Sequence, residues 1–365
     1  MKNKYVLFAG PYPPPVHGQS FAFKMAYDNY HDYKILISQN LEERNNLYKI
    51  WLTKICIYKY LVTFLTKNIS VVYLTGSRSR LGAFKDIVLI ILAKGHGAKV
   101  INHIHAAHFN KFLNSLPTLV STLYCSAYRK VDVFVCLLHD MKKEYKEFEL
   151  SSRIEVVENF YDPIMDSSKE HELHIEEPIV ISYFSNLIFS KGIFDLIEAF
   201  EIANSKYPNI RLQIAGSYGE DSYMSAVQVK EKLSKCLLLN SNIKYVGSKY
   251  GKAKIDFLQR SQIFVLPSFY SSEAFPISIL EAMRAGNAII LTDHHYLAKL
   301  ITKEQGIVIP ASNIEALVQA LASLIDDKER LLDMRRNNRV YSSVNYSMYK
   351  YSNRLNSIIQ SLTKE

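Results

Sequence analysis

Two glutamates eight positions apart, Glu273 and Glu281, flank Pro276 in the segment SSEAFPISILEAMRAGNAII, Ser271 to Ile290. Proline suits the first turn of a helix, because its fixed φ fits and its missing N–H would have no acceptor there. Gly286 supplies a stop signal. A helix over about Pro276 to Ala285 follows, with Glu273 before its mouth and Glu281 inside it. The free N–H groups near Ile277 and Ser278 would form an anion site, where the helix dipole favours a phosphate or diphosphate. At ~1.5 Å rise per residue Glu281 lies roughly 7 to 8 Å along the axis from that site. That is the reach from a diphosphate to the ribose of the same nucleotide. Glu281 is then placed to accept from the ribose hydroxyls, while Glu273 faces a sugar beyond the phosphates. The competing explanation is an ordinary buried helix whose acids complement the dipole and meet solvent.

The elements that must position these acids are strands alternating with helices. The runs YVLFA, VVYL, KVINHI, VDVFVC and IEVV occupy the first half; IVISYF, RLQIAG, IKYVG, QIFVLP, AIILT and GIVIP occupy the second. Hydrophobic rather than alternating strands, each followed by a helical pattern, predict two parallel sheets covered on both faces. The polar segment YDPIMDSSKEHELHIEEP, Tyr161 to Pro178, is the linker candidate. The domains expected are 1–165 and 176–340, with 341–365 as a C-terminal helix packing back on the first. Two doubly wound domains place ligands beyond the carboxyl ends of their strands, so function belongs in the loops that follow strands. The segment with the two glutamates is such a loop.

Other candidates lie in similar places. Lys191 follows a strand beside a helix N-terminus, a sensible point charge for a departing diphosphate or simply a solvated loop lysine. Gly216 allows a tight turn after RLQIAG. His103, His105 and His108 follow a first-domain strand; a metal site is one reading, but no carboxylate or cysteine stands close in sequence. The first loop, AGPYPPPVHGQSFAF, is stiffened by prolines and carries His17, Gly18 and Gln19 before a helix. No G-x-G-x-x-G follows the first strand, which argues against a dehydrogenase.

Bulk properties narrow the options. At 365 residues, 48% hydrophobic and 22% charged, the chain supports two globular cores. Four scattered cysteines without metal-like spacing suggest reduced thiols and a cytoplasmic setting. No stretch approaches a membrane span, and the apolar start is cut short by Gly10 and the prolines, so neither an anchor helix nor a signal peptide is expected. The net charge of +9 suits phosphorylated substrates or anionic headgroups. Nucleic acid is disfavoured for want of a basic-aromatic motif. KIWLTKICIYKYLVTFLTK, Lys49 to Lys67, is a candidate membrane contact, or a helix covering the first sheet.

A strand ending in Pro267 and Ser268, a loop with Glu273, then EAFPISILEAMRAG and the strand AIILT resemble the Glu-x(7)-Glu signature of the retaining GT-B glycosyltransferases of family 4. The resemblance is specific over Ile243 to Asp293 and looser elsewhere. It implies a GT-B fold: two doubly wound Rossmann-like α/β domains facing across a central cleft, with a C-terminal helix crossing back. Lys191 and Gly192 match the family's Lys-Gly pair, and Asn186 stands where arginine is usual. Asn159 and Asp162 fall at the family's Asn-Gly-x-Asp turn, with Phe160 in place of the glycine. The activity implied is transfer of a sugar, with retention, from a UDP- or GDP-sugar to an acceptor hydroxyl. Assembly of a bacterial O-antigen or capsule repeat unit on a lipid-linked acceptor, at the inner face of the membrane, is the setting it implies. By the same resemblance Glu273, Lys191 and His105 are catalytic. Glu281, Ile277, Ser278, Phe275, Pro276, Asn186 and Gly216 bind the donor; Gly18, His17 and Gln19 approach acceptor or phosphate. No metal or other cofactor is required. A sugar-nucleotide epimerase of the same fold and a non-catalytic partner subunit are the alternatives.

Overall fold

A computed structural model describes residues 3–39, 45–167 and 172–364. The chain forms two compact units, one of Met1–Asn159 with Tyr349–Glu365 and one of Phe160–Met348.

In the first unit, short β-branched and aromatic runs become the strands β1 (Tyr5–Gly10), β2 (Lys34–Ser38), β3 (Ile69–Thr75), β4 (Lys99–Ile104), β5 (Val133–Cys136) and β6 (Arg153–Val156). They pair in parallel in the order β2-β1-β3-β4-β5-β6. The crossovers are α1 (Gly18–Asp28), α2 (Asn46–Thr66) and α3 (Arg80–Gly95); α4 (Phe109–Asn114) and α5 (Thr118–Tyr128) follow β4. Five of these strands stand where hydrophobic runs predict them. The sixth, β2, is a short edge strand, half-exposed along most of its length. Within α2 the residues Thr53, Cys56, Tyr60 and Phe64 are buried at helical spacing, so Lys49 to Lys67 does cover the sheet. Its other side keeps Leu47, Ile50, Trp51 and Leu65 exposed.

The second unit holds β7 (Ile179–Phe184), β8 (Ile210–Ala215), β9 (Ile243–Tyr245), β10 (Ile263–Leu266), β11 (Ala288–Thr292) and β12 (Gly306–Ile309). All are parallel, in the order β12-β11-β10-β7-β8-β9. Its helices are α6 (Ile193–Lys206), α7 (Ala226–Leu239), α8 (Gly251–Gln259), α9 (Ile277–Ala285), α10 (Ile314–Asp326) and α11 (Lys328–Asn345). The strand order reverses between β7 and β10, the point at which open α/β sheets gather ligands. In the first sheet the corresponding reversal lies between β1 and β3.

The units divide at Asn159 and Phe160 rather than at 165, and the chain returns to the first unit at Tyr349 rather than 341. Both shifts have local causes. The start of the linker is fixed to the second unit, where Asp162 pairs with Lys254 and Asp166 with Arg284. Position 341 lies inside α11, which is pinned to the second unit by Asn338 Nδ2 donating to the carbonyls of Asn287 and Gln305, each at 2.7 Å. The last helix, α12 (Met348–Lys364), packs in the first unit. There Tyr351 stacks on His103, Arg354 pairs with Glu155, and Asn356 donates to the Asn29 carbonyl.

Candidate functional site

The loops after β7 and β10 meet at the reversal point of the second sheet. After β7 a 3-10 turn, Phe189–Lys191, ends at Gly192, which adopts φ +76° and opens α6. A Cβ at Gly192 would lie 2.0 Å from the carbonyl oxygen of Pro267 at the end of β10. The glycine therefore lets the two loops touch. Lys191 Nζ reaches Glu273 Oε2 at 2.5 Å, with side chains only 12% and 8% exposed, and sits 5.0 Å from the centre of the Tyr270 ring. Ser268 Oγ donates to the same carboxylate oxygen at 3.0 Å.

Beside this pair opens α9. Pro276 is its N-cap in extended conformation, one residue outside the helix rather than in the first turn, and no side chain caps the end. The N–H groups of Ile277 and Ser278, which have no intrahelical acceptor, stay half-exposed. Phe275 before them is buried and meets the Tyr346 ring edge-on at 5.6 Å. Gly286 closes the helix at φ +81°. The loop after β8 turns at Gly216, φ +150°, where a Cβ would come within 1.8 Å of the Ser185 carbonyl oxygen. Asn186, on the neighbouring loop, exposes its side chain, while its backbone carbonyl accepts from Tyr183 Oη and from the Ile188 N–H.

Glu281 is 4% exposed and already has partners. Its Oε1 accepts from Lys254 Nζ at 2.6 Å, and Lys254 also reaches Asp162 Oδ2 at 2.7 Å. The backbone N–H of Asp162 adds a further bond to the Glu281 carboxylate. Burial pushes the Glu281 carboxyl above the usual range against the pull of Lys254. Burial pulls Lys254 down, but Glu281 and Asp162 together more than restore it. Lys254 carries no sequence motif. The available signal is its place on the buried face of α8, with Ile255, Phe257 and Leu258.

In the first unit His105 lies one residue beyond β4, its ring 4.2 Å from that of His103. His103 Nδ1 shares a hydrogen bond of 2.7 Å with Tyr73 Oη, whereas His108 sits at the start of α4 with φ +61°. His17 caps α1, accepting from the Ser20 N–H, and Gly18 is the first helical residue. Gln19 lines a cleft at the ends of β1 and β3. Among the described residues no three His, Cys, Asp or Glu side chains are grouped to hold a metal.

Burial, and then His17, hold His105 far below the ordinary imidazole value, down to about 3. The unfolded chain, titrating near ~6.5, takes the proton first. Stability therefore falls as the pH drops below ~6.5, by roughly 2 kcal/mol at pH 5 from this residue. His105→Gln is expected to remove that loss. Buried Asp86, raised to about 6, titrates with the opposite sign, but it is common to both chains and cancels in the difference. Urea denaturation of both chains at pH 7.5 and pH 5 checks this, and an unchanged difference counts against a neutral, buried His105.

Comparison with known proteins adds to this geometry. Residues 165–341 match the family model of glycosyl transferases group 1. The N,N'-diacetylbacillosaminyl-diphospho-undecaprenol alpha-1,3-N-acetylgalactosaminyltransferase of Campylobacter jejuni is 23% identical over 187 residues, 50% of this chain and 46% of the relative. The capsular polysaccharide biosynthesis glycosyltransferase CapM of Staphylococcus aureus is 25% identical over 198 residues, 54% of this chain and 50% of the relative. The chain thus spans about half the length of these curated relatives. Among solved structures, Anabaena Alr3699/HepE in complex with UDP has a TM-score of 0.72 at 13% identity, covering 99% of this chain and all of that one.

Proposed function

Because the chain has the GT-B fold and carries a glycosyl transferases group 1 domain over residues 165–341, we propose that it transfers a sugar from a UDP- or GDP-sugar to an acceptor hydroxyl, with retention of configuration. The carrying observation is the Lys191–Glu273 pair beside the uncapped start of α9. When the bond from sugar to diphosphate breaks, negative charge collects on the diphosphate. A lysine and a helix N-terminus fixed in advance stabilise that charge without reorganising. Binding of the diphosphate draws Lys191 from Glu273, whose carboxylate is then free to orient sugar hydroxyls. The acceptor hydroxyl attacks from the leaving-group side and gives its proton to the departing phosphate oxygen. Catalysis rests on charge stabilisation and placement. His105, on the first unit, serves as a neutral hydrogen-bonding group toward the sugar. No metal is needed, since protein cations supply the countercharge.

The names of the relatives support an acceptor built on a lipid diphosphate, in assembly of a bacterial surface polysaccharide. Among the described residues no helix is long and apolar enough to cross a membrane. The enzyme works from the inner surface as a peripheral protein.

Calorimetric titration with UDP, GDP and the two nucleosides tests this reading. One diphosphate is expected to bind about 100-fold or more tightly than its nucleoside, as two charge-assisted contacts require. Sugar transfer is expected to persist in EDTA and to give a product with the donor's anomeric configuration. Equal binding of nucleoside and diphosphate, or an inverted product, sinks the proposal.

A further inference from the structure

Lys85 is 2% exposed, and among the described residues no hydrogen bond or ion pair holds its ammonium. A buried, unpaired lysine is costly, so its position calls for an anion that is brought to it. It sits one and a half turns into α3 and lines a cleft of about 700 Å³ with Thr75, Arg78, Lys49 and Gln19. The cleft opens at the ends of β1 and β3, the reversal point of the first sheet. Thr75 Oγ1, in a residue 2% exposed, also lines it and has no hydrogen-bond partner. The start of α3, capped only by Ser79 Oγ on the Gly82 N–H, faces the same space through Ser79 and Leu81. No carboxylate lines the cleft. The adjacent Asp86 turns elsewhere, accepting from Ser77 N and Oγ. Three cations, a free hydroxyl and a helix start form a receptor for a phosphoryl group.

The rim gives the rest of the ligand. Lys49 and Ile50 of α2 border the cleft, and Leu47, Ile50 and Trp51 beside them are 80%, 44% and 54% exposed. A cationic pocket that runs into an apolar helix face matches an amphiphile with a phosphorylated head. We infer that this cleft binds the diphosphate of a prenyl-linked acceptor, with Lys85 and Thr75 on the phosphoryl oxygens and the start of the lipid along Ile50 and Trp51. The inference rests on the transfer reading for its substrate, whereas the anion site stands on its own geometry.

The test uses the full chain and two probes, inorganic pyrophosphate and geranyl diphosphate, with excess nucleoside diphosphate present to fill the second unit. Geranyl diphosphate is expected to bind about tenfold or more tightly than pyrophosphate, because burial of apolar carbon adds to the same head contacts. Lys85→Met should weaken both about tenfold or more. Ile50→Ser should weaken only the prenyl probe. Lys85→Met should also raise the melting temperature, since a buried charge is replaced by an apolar side chain of similar length, so lost binding is not lost folding. Unchanged binding of both probes to Lys85→Met overturns the site. Equal affinity of the two probes assigns the pocket to a free phosphoryl anion and overturns the lipid half. Loss of pyrophosphate in Lys85→Met alongside no nucleotide binding and no transfer keeps the anion site and removes the transfer reading instead.

Discussion

Lys191→Met is expected to lower turnover by about 10²–10³-fold, the usual effect of removing one fixed donor aimed at developing negative charge. The substitution keeps the length of the side chain and most of its packing, so the loss lies in charge alone. Glu273 would stay bonded to Ser268 Oγ, which limits the structural damage. KM for the donor should change less than kcat, because the lysine is shared with Glu273 before the bond breaks and belongs to the diphosphate afterwards. The measurement is the rate of nucleoside diphosphate release with the donor identified by titration. A fall of less than threefold would remove Lys191 from the chemistry and leave it as a partner for Glu273.

A second large effect is expected in stability. Lys254→Met leaves the buried Glu281 carboxylate facing Asp162 without a cation, and breaking a buried pair on one side costs about 3–5 kcal/mol. Adding Glu281→Gln to Lys254→Met should return part of that loss, since the amide needs no countercharge. Urea denaturation of the single and double variants reads both numbers. A loss below ~1 kcal/mol for Lys254→Met would mean that water reaches Glu281 and that the pair acts as an exposed one. The same contacts set a condition on donor binding. Ribose hydroxyls approaching Glu281 meet a carboxylate already holding Lys254 and the Asp162 N–H, so the nucleotide must share it rather than find it open.

Much of the second unit was legible in the sequence because its signals are local. A hydrophobic strand, a proline at the helix mouth and a glycine at its end lie within one short segment, and all act where the sequence places them. Pro276 missed only by one position, as a cap instead of a first-turn residue. The short strand β2 escaped because an edge strand needs little apolar surface. Lys254 and Lys85 escaped for a different reason. A lysine in a helix reads as solvated unless its phase is checked, yet Lys85 falls on the stripe of Gly82, Leu89 and Ala93 and is buried with them. Asp162 read as a turn residue; its pairing with Lys254, 92 positions away, depends on tertiary packing that no local pattern encodes.

The return of α12 to the first unit has a consequence for synthesis. Tyr351, Leu355, Ile358, Ile359 and Leu362 are buried, with Tyr351 laid against His103, yet they are among the last residues translated. The ribosome must complete the whole second unit before the first receives its final layer. During that interval the surface around His103 and Asn29 is open, and nascent chains that stall near the end carry a finished second unit beside an uncovered first one. Such chains are the ones chaperones and proteases would recognise, which makes the end of the message a checkpoint for the beginning of the fold.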